Sequence, residues 1–346
     1  MNRYFGKRGY YASCIVLAIF MYQGVIIYYQ LMTQTLFPMI IGVKDLITGQ
    51  YTPSISTQAD FSQFSLAWTS LLIFFPLYII VCKRDRSFFV KMSTFGVFAV
   101  IIQILFVVYM LFVAVFTTKF TFSLTETKQG PASDSEDLEN SGIEVRESNI
   151  VMFKSNFEAL AGMLAAGYYM HQLGLPIILD NKYQKNNSRD VFIGYLLVFM
   201  TYSLIGVGGY FGFSGSYFEG LPIKQNLLNM FSTKNPFATF IRLCSFLQIF
   251  SVYPLFFHVV RTQFFRILFE GEIQGLYFYL FNFIVSLPGL LLAIWYPNVG
   301  DLLGFAGAFI GFLCVYLSPA MLHLKYLWLD INHPLLLKMI TNRLIE

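Results

Sequence analysis

Ser93-Thr-Phe-Gly-Val-Phe-Ala-Val-Ile-Ile-Gln-Ile-Leu-Phe-Val-Val-Tyr-Met-Leu-Phe-Val-Ala-Val-Phe-Thr117 contains no charged residue. A run of about 20 apolar residues is long enough for a helix to cross the hydrocarbon of a bilayer. The pattern recurs at 11–36, 64–82, 157–179, 191–213, 237–260, 274–296 and 301–327. Lipid accepts only segments that satisfy their own backbone hydrogen bonds. The eight runs therefore predict an all-α polytopic membrane protein with about eight transmembrane helices. Residues 1–346 read as a single transmembrane domain, with 118–156 as a long loop and 328–346 as a C-terminal tail.

Composition agrees. The chain is 56% hydrophobic and 12% charged, with 39 Phe and 22 Tyr, whereas soluble domains carry about 25% charged residues. Membrane lipid is thus the first partner. The aromatic load suits interface belts and packing between membrane helices. Cys14, Cys82, Cys244 and Cys314 lie in or beside apolar runs and form no CxxC pair, so neither a disulfide nor a metal centre is expected. The first run is too long for a signal-peptide core and no small-residue cleavage site follows it. The chain has no GxxxxGK[ST], no GxGxxG opening a helix, no GxSxG and no HExxH, so neither an enzyme nor a nucleic-acid binder is expected.

Charge placement sets the expected orientation. Arg3, Lys7, Arg8, Lys83, Arg84, Arg86, Lys91, Lys182, Lys185, Arg189, Arg261, Arg266, Lys325, Lys338 and Arg343 fall on one side. The opposite short loops hold Lys44, Lys224, Lys234 and Arg242. Basic loops stay in the cytosol, which places both termini there. The 118–156 loop faces the other way. Its stretch Asp134–Glu147 carries six acidic residues against Arg146, a composition that predicts a disordered, solvated spacer. The sequon at Asn186–Ser188 falls on the cytosolic side and should stay unmodified. Leu227, Leu228 and Phe231 form a short apolar face in the 214–236 loop, suited to the membrane surface or to packing.

Function is sought where the apolar pattern breaks. The fourth run contains Gly162, Gly167, Gly174, Pro176 and the ionisable His171. Glycine and proline weaken a helix, and freed backbone at membrane depth survives only inside protein or along a watery cavity. Two readings stay open: a substrate site at an interruption near Gly162–Gly167, or a tight helix crossing with a hydrogen-bonded histidine. In the last run Gly300, Gly304, Gly307 and Gly311 recur at helical spacing, the mark of a close helix–helix contact; Gly208 and Gly212 repeat the idea. Pro254 frees the carbonyl of Phe250 one turn upstream. With the Ser251 hydroxyl this is either half of an oxygen-rich sodium site or a plain kink.

Several motifs together resemble one family. Asn187-Ser-Arg-Asp190-Val-Phe-Ile193-Gly-Tyr195-Leu-Leu197-Val-Phe-Met-Thr201-Tyr202, followed by Ile205-Gly206-Val207, is similar to the sixth–seventh helix junction of the amino acid/auxin permease family, in its sodium-coupled neutral amino acid transporter branch. Gln248-Ile-Phe-Ser251-Val-Tyr253-Pro254-Leu255 resembles the eighth helix, and Tyr296-Pro297-Asn298-Val299-Gly300 the loop into the tenth, continued by Gly307 and Ser318-Pro319. Gln225-Asn226 fits the outer loop. The resemblance runs from about Gly24 to about Leu327. It implies a partial inverted-repeat (LeuT-like) transporter fold, with the eight runs as family helices three to ten. The broken first helix of the family has no counterpart here, so the expectation is an N-terminally truncated chain. It further implies a substrate wall of Gly162, Ala166, Gly167 and His171, with Ser251 as the sodium-side hydroxyl. The only cofactor it suggests is the sodium ion.

The function implied is secondary active transport of neutral or cationic amino acids, coupled to sodium or protons, at a lysosomal or vacuolar membrane. The alternative is a transporter-like sensor that reports amino acids to cytosolic signalling partners. A receptor-type bundle is disfavoured by eight runs and by the breaks in the fourth.

Overall fold

The computed structural model of the chain describes residues 2–49, 61, 64–84, 86–125, 146–153, 157–168, 181, 183–213, 223–224, 226–268 and 275–332. Its helices are α1 (Asn2–Thr48), α2 (Leu66–Val81), α3 (Arg86–Thr117), α4 (Phe157–Gly167), α5 (Asn187–Phe213), α6 (Pro236–Leu268), α7 (Leu276–Trp295), α8 (Val299–Phe305) and α9 (Ser318–Asn332), with a π-helical segment, Ala306–Leu317, joining the last two. Six helical stretches among the described residues are long and apolar enough to span a membrane. These are α1, α3, α5, α6, α7 and the continuous α8–π–α9 unit. The polytopic helical class is what the structure shows.

One of the eight expected runs, 64–82, forms a helix shorter than a full span, and of the run 157–179 the structure describes residues 157–168. Helix α2 has 16 residues and α4 has 11. At about 1.5 Å per residue the described part of α4 is roughly 16 Å long. Helix α1 is longer than its run, at 47 residues, with one break at Gly6, whose φ of 67° is open to glycine.

The loop expected to be disordered at 118–156 has ordered flanks. Thr118–Thr125 (β1) pairs in parallel with Arg146–Phe153 (β2). A parallel pair needs a crossover of about a dozen residues or more, and 126–145 is long enough. Most of the acidic stretch falls in that crossover, outside the described residues.

Two apolar cores hold the bundle. Met21, Tyr29 and Met32 of α1 meet Ile73 and Leu77 of α2, Tyr253 and Phe257 of α6, and Val285 and Leu290 of α7. Phe106 and Met110 of α3 meet Phe213 of α5, Leu228, Phe231 and Ile241. Lipid gives little hydrophobic drive to pair helices, so hydrogen bonds and close packing carry more of the load. Accordingly Tyr29 donates to the Ser70 carbonyl at 2.7 Å, Tyr22 to that of Val285 at 2.8 Å, and Tyr78 to that of Tyr279 at 3.0 Å.

Of the two readings of the outer loop, the structure shows packing. Leu227–Met230 forms one 3₁₀ turn, but Leu228 and Phe231 are buried in the second core rather than spread on a membrane surface. Arg242, read as a loop cation, sits on α6 at 1% exposure and donates to the carbonyls of Leu228 and Phe231 at 2.7 and 2.8 Å. It satisfies the open end of the 3₁₀ turn, which would otherwise leave buried carbonyls without donors.

Candidate functional site

The fourth run has no interruption between Gly162 and Gly167. Its helix is continuous from Phe157, and Tyr168 N–H still donates to the Leu164 carbonyl at 2.9 Å. The described helix runs to Gly167, and Gly174 and Pro176 of the same run lie outside the described residues. Glycine is tolerated inside a helix when packing repays it, and here it does. A Cβ on Gly162 would lie 2.6 Å from the Gly304 carbonyl oxygen. Gly307 lies against the Gly162 backbone, and a Cβ on Gly311 would meet Ala165 Cβ at 3.6 Å. Helix α4 and the π segment thus cross backbone to backbone, which only residues without side chains allow. Of the glycine stripe, Gly304 itself leaves open space where a Cβ would go.

The end of α4 opens into a cavity of about 520 Å³. Ala166 and Gly167 form part of its wall, opposite Gly24 and Tyr28 of α1 and beside Tyr202 of α5 and Phe256 of α6. Tyr202 donates its hydroxyl to the Gly167 carbonyl at 3.1 Å and packs edge-on against Tyr168 at 5.4 Å. Carbonyls of a last helical turn need donors, and Tyr202 supplies one to Gly167. Buried Gln23 Oε1, also in the wall, has no hydrogen-bond partner among the described residues. No Asp, Glu, Lys, Arg or His lines the cavity among those residues.

The candidate residues therefore separate. Ala166 and Gly167 lie in the cavity wall; Gly162 lies in the helix crossing just beside it. His171 falls outside the described residues. Ser251 is buried within α6, lines neither this cavity nor its neighbour, and donates to the Gln248 carbonyl at 2.7 Å. It packs on α3, where a Cβ on Gly96 would meet its Oγ at 2.7 Å. The residues the sequence reading missed are Gln23, Tyr28 and Tyr202. Gln23 carried a signal that it shares with Gln30 and Gln34, an amide within an apolar run. The tyrosines carried none, since the chain holds 22.

The motif Tyr296-Pro297-Asn298 joins α7 to α8 without regular structure. Its carbonyls are met by α1 amides: Gln30 Nε2 donates to Tyr296 O at 2.9 Å and Gln34 Nε2 to Pro297 O at 2.6 Å. Irregular backbone inside a helical bundle needs such partners.

Comparison with known proteins adds the following. The family described as transmembrane amino acid transporter protein matches residues 1–342. Neutral amino acid transporter 9 of Xenopus tropicalis is 28% identical over 273 residues, covering 77% of this chain and 45% of that protein. Its namesake in Rattus norvegicus is 31% identical over 173 residues, 49% of this chain and 31% of that protein. A sodium-coupled neutral amino acid transporter 9 homolog of Caenorhabditis elegans is 31% identical over 176 residues, 49% of this chain and 27% of that protein. The matched part of the chain thus spans less than half the length of these relatives.

Proposed function

The chain belongs to the transmembrane amino acid transporter family, and from that premise we propose that it carries neutral amino acids across a membrane through the cavity at the end of α4. The observation behind this reading is a cavity at the C-terminal end of the described α4 that, among the described residues, is lined by no charged side chain. The C-terminal end of a helix carries partial negative charge. It suits the α-ammonium of an amino acid, and Gln23 Oε1 offers a further acceptor. A cationic side chain would lie there without a counter-charge, at a large desolvation cost, so neutral substrates are favoured over arginine or lysine. The apolar wall from Ala166, Phe256 and Leu303 suits an aliphatic side chain.

The proposal includes a lysosomal or vacuolar membrane with both termini in the cytosol, the orientation that the basic loops support. It includes coupling to sodium or protons. Ser251 remains the residue proposed for sodium, though its hydroxyl proton is committed to Gln248.

The test is uptake of labelled neutral and cationic amino acids into proteoliposomes carrying the chain. Gly167→Leu should abolish uptake, because even a Cβ there would meet the Tyr202 ring at 3.0 Å. Tyr202→Phe, which loses only the hydroxyl, should lower uptake less. Preference for cationic substrates, or full activity in Gly167→Leu, would sink the proposal. Saturable binding without uptake would favour the sensor reading.

A further inference from the structure

A second cavity, of about 410 Å³, lies next to the first. The helices that reach both meet them in a consistent order. Along α1, Gly24 and Tyr28 face the first, Gln34 and Thr35 the second. Along α5, Tyr202 faces the first and Phe213 the second; along α6, which runs the other way, Gln248 faces the second and Phe256 the first. The cavities are therefore stacked along the bundle axis. The first, inner one lies toward the end bearing Lys83, Arg84 and Arg261, and the second, outer one toward the opposite end. Three side chains line both: Leu31 of α1, Met163 of α4 and Leu303 of α8.

We infer that Leu31, Met163 and Leu303 form an apolar barrier dividing the solute path into an inner and an outer chamber, the outer one suited to neutral, hydrogen-bonding solutes. An apolar constriction stops water and polar solutes by dewetting, without any ionic lock. The backbones of two of its three members lie next to a close helix crossing. Met163 adjoins Gly162, and Leu303 adjoins Gly304, at the point where α4 and α8 cross with Gly162 against the Gly304 carbonyl. Leu31 closes the barrier from α1. Methionine is unbranched, with several rotatable bonds, so Met163 can swing aside while the helix crossing stays intact.

The outer chamber differs in chemistry from the inner. Gln34, Gln103, Asn226 and Gln248 bring four amides to its wall, and Thr35 and Ser245 bring hydroxyls. No Asp, Glu, Lys, Arg or His lines it among the described residues. Gln103 Nε2 is buried there without a partner among those residues, a donor left for a solute carbonyl or carboxylate oxygen.

The barrier gains its role from the transport reading, but its test needs no flux. With Cys14, Cys82, Cys244 and Cys314 changed to serine, single reporters are placed as Thr35→Cys in the outer chamber and Gly24→Cys in the inner. A Cβ at Gly24 meets only Phe256, at 3.8 Å, so cysteine is accommodated. A charged, membrane-impermeant thiol reagent is then applied to one face of proteoliposomes. From the face opposite the basic loops, Thr35→Cys should label and Gly24→Cys should not. Adding Leu31→Ala, Met163→Ala and Leu303→Ala should give Gly24→Cys labelling from that face. Labelling of Gly24→Cys from that face with the three side chains intact would overturn the barrier. So would continued protection after their removal. Thr35→Cys in the triple variant reports whether the fold survives. Were its sidedness lost, Met163→Ala alone would be judged by the same two outcomes. Because amino acid uptake is not read, failure of the barrier and failure of transport are separate results.

Discussion

At the scale of single residues, glycines that look alike in the sequence have opposite roles. Gly304 and Gly307 sit one turn apart, yet Gly304 has open space where a Cβ would go and Gly307 lies against the Gly162 backbone. Gly304→Ala should therefore be neutral or gain up to about 1 kcal/mol from helix propensity. Gly307→Ala should cost about 1–3 kcal/mol by overpacking, or prevent assembly. Thermal unfolding of the two variants in detergent reads the contrast directly; equal melting temperatures would contradict the crossing. Ser251 gives a second residue-scale expectation. Ser251→Ala removes the bond to Gln248 and keeps a small side chain beside Gly96, so folding should survive. Under the sodium proposal the same variant needs more sodium for half-maximal uptake, and Ser251→Thr, which keeps the hydroxyl, does not. Uptake independent of sodium in both would remove Ser251 from the mechanism.

At the scale of elements, the outer loop depends on α6 through one side chain. Arg242 gives its Nη2 to two carbonyls of the 3₁₀ turn, while its Nε and Nη1 have no partner among the described residues. A buried cation with so few partners is costly, so its retention in the core depends on the loop it holds. Arg242→Met keeps the volume and drops both bonds. The 226–231 backbone should then open, with faster amide hydrogen exchange there than in α7, which Arg242 does not touch. Unchanged exchange would mean that Leu228 and Phe231 hold the turn by packing alone. A second tie lies nearby: Thr233 donates to Asp45 at the end of α1, at 2.7 Å.

At the scale of the whole molecule, orientation is the expectation that everything functional inherits. Cysteines at Ser87, in the first turn of α3 beside Lys83, Arg84 and Arg86, and at Ser135 in the acidic loop should label from opposite faces of the membrane. Labelling from one face would invert or scramble the topology, and with it the assignment of the inner and outer chambers. The stacking of the two cavities would stand either way, because it follows from the order of residues along α1, α5 and α6 and not from which compartment each end faces.

The sequence by itself determined the membrane class, the positions of the long helices to within a few residues at most ends, and the family. Hydrocarbon imposes a minimum length of apolar helix, and that constraint is local and one-dimensional. It could also mark Gly162 as a weak point in a helix and Gly304, Gly307 and Gly311 as small residues at helical spacing. Which of them are filled by a neighbour's backbone was decided only when α4 met the π segment, since contact is a property of two elements at once. The same holds for the site. Gly167 was visible as a weak point in a helix and Ala166 only through the family resemblance, but Tyr202, Gln23, Met163 and Leu303 become significant only because helices distant in sequence face one volume. Ser251 stood beside a proline in the sequence, yet the fold turned its hydroxyl toward its own helix and α3. Helical periodicity says which residues share a face; only the packed bundle says what that face meets, because the energy of close packing depends on shape complementarity between surfaces that no single segment contains.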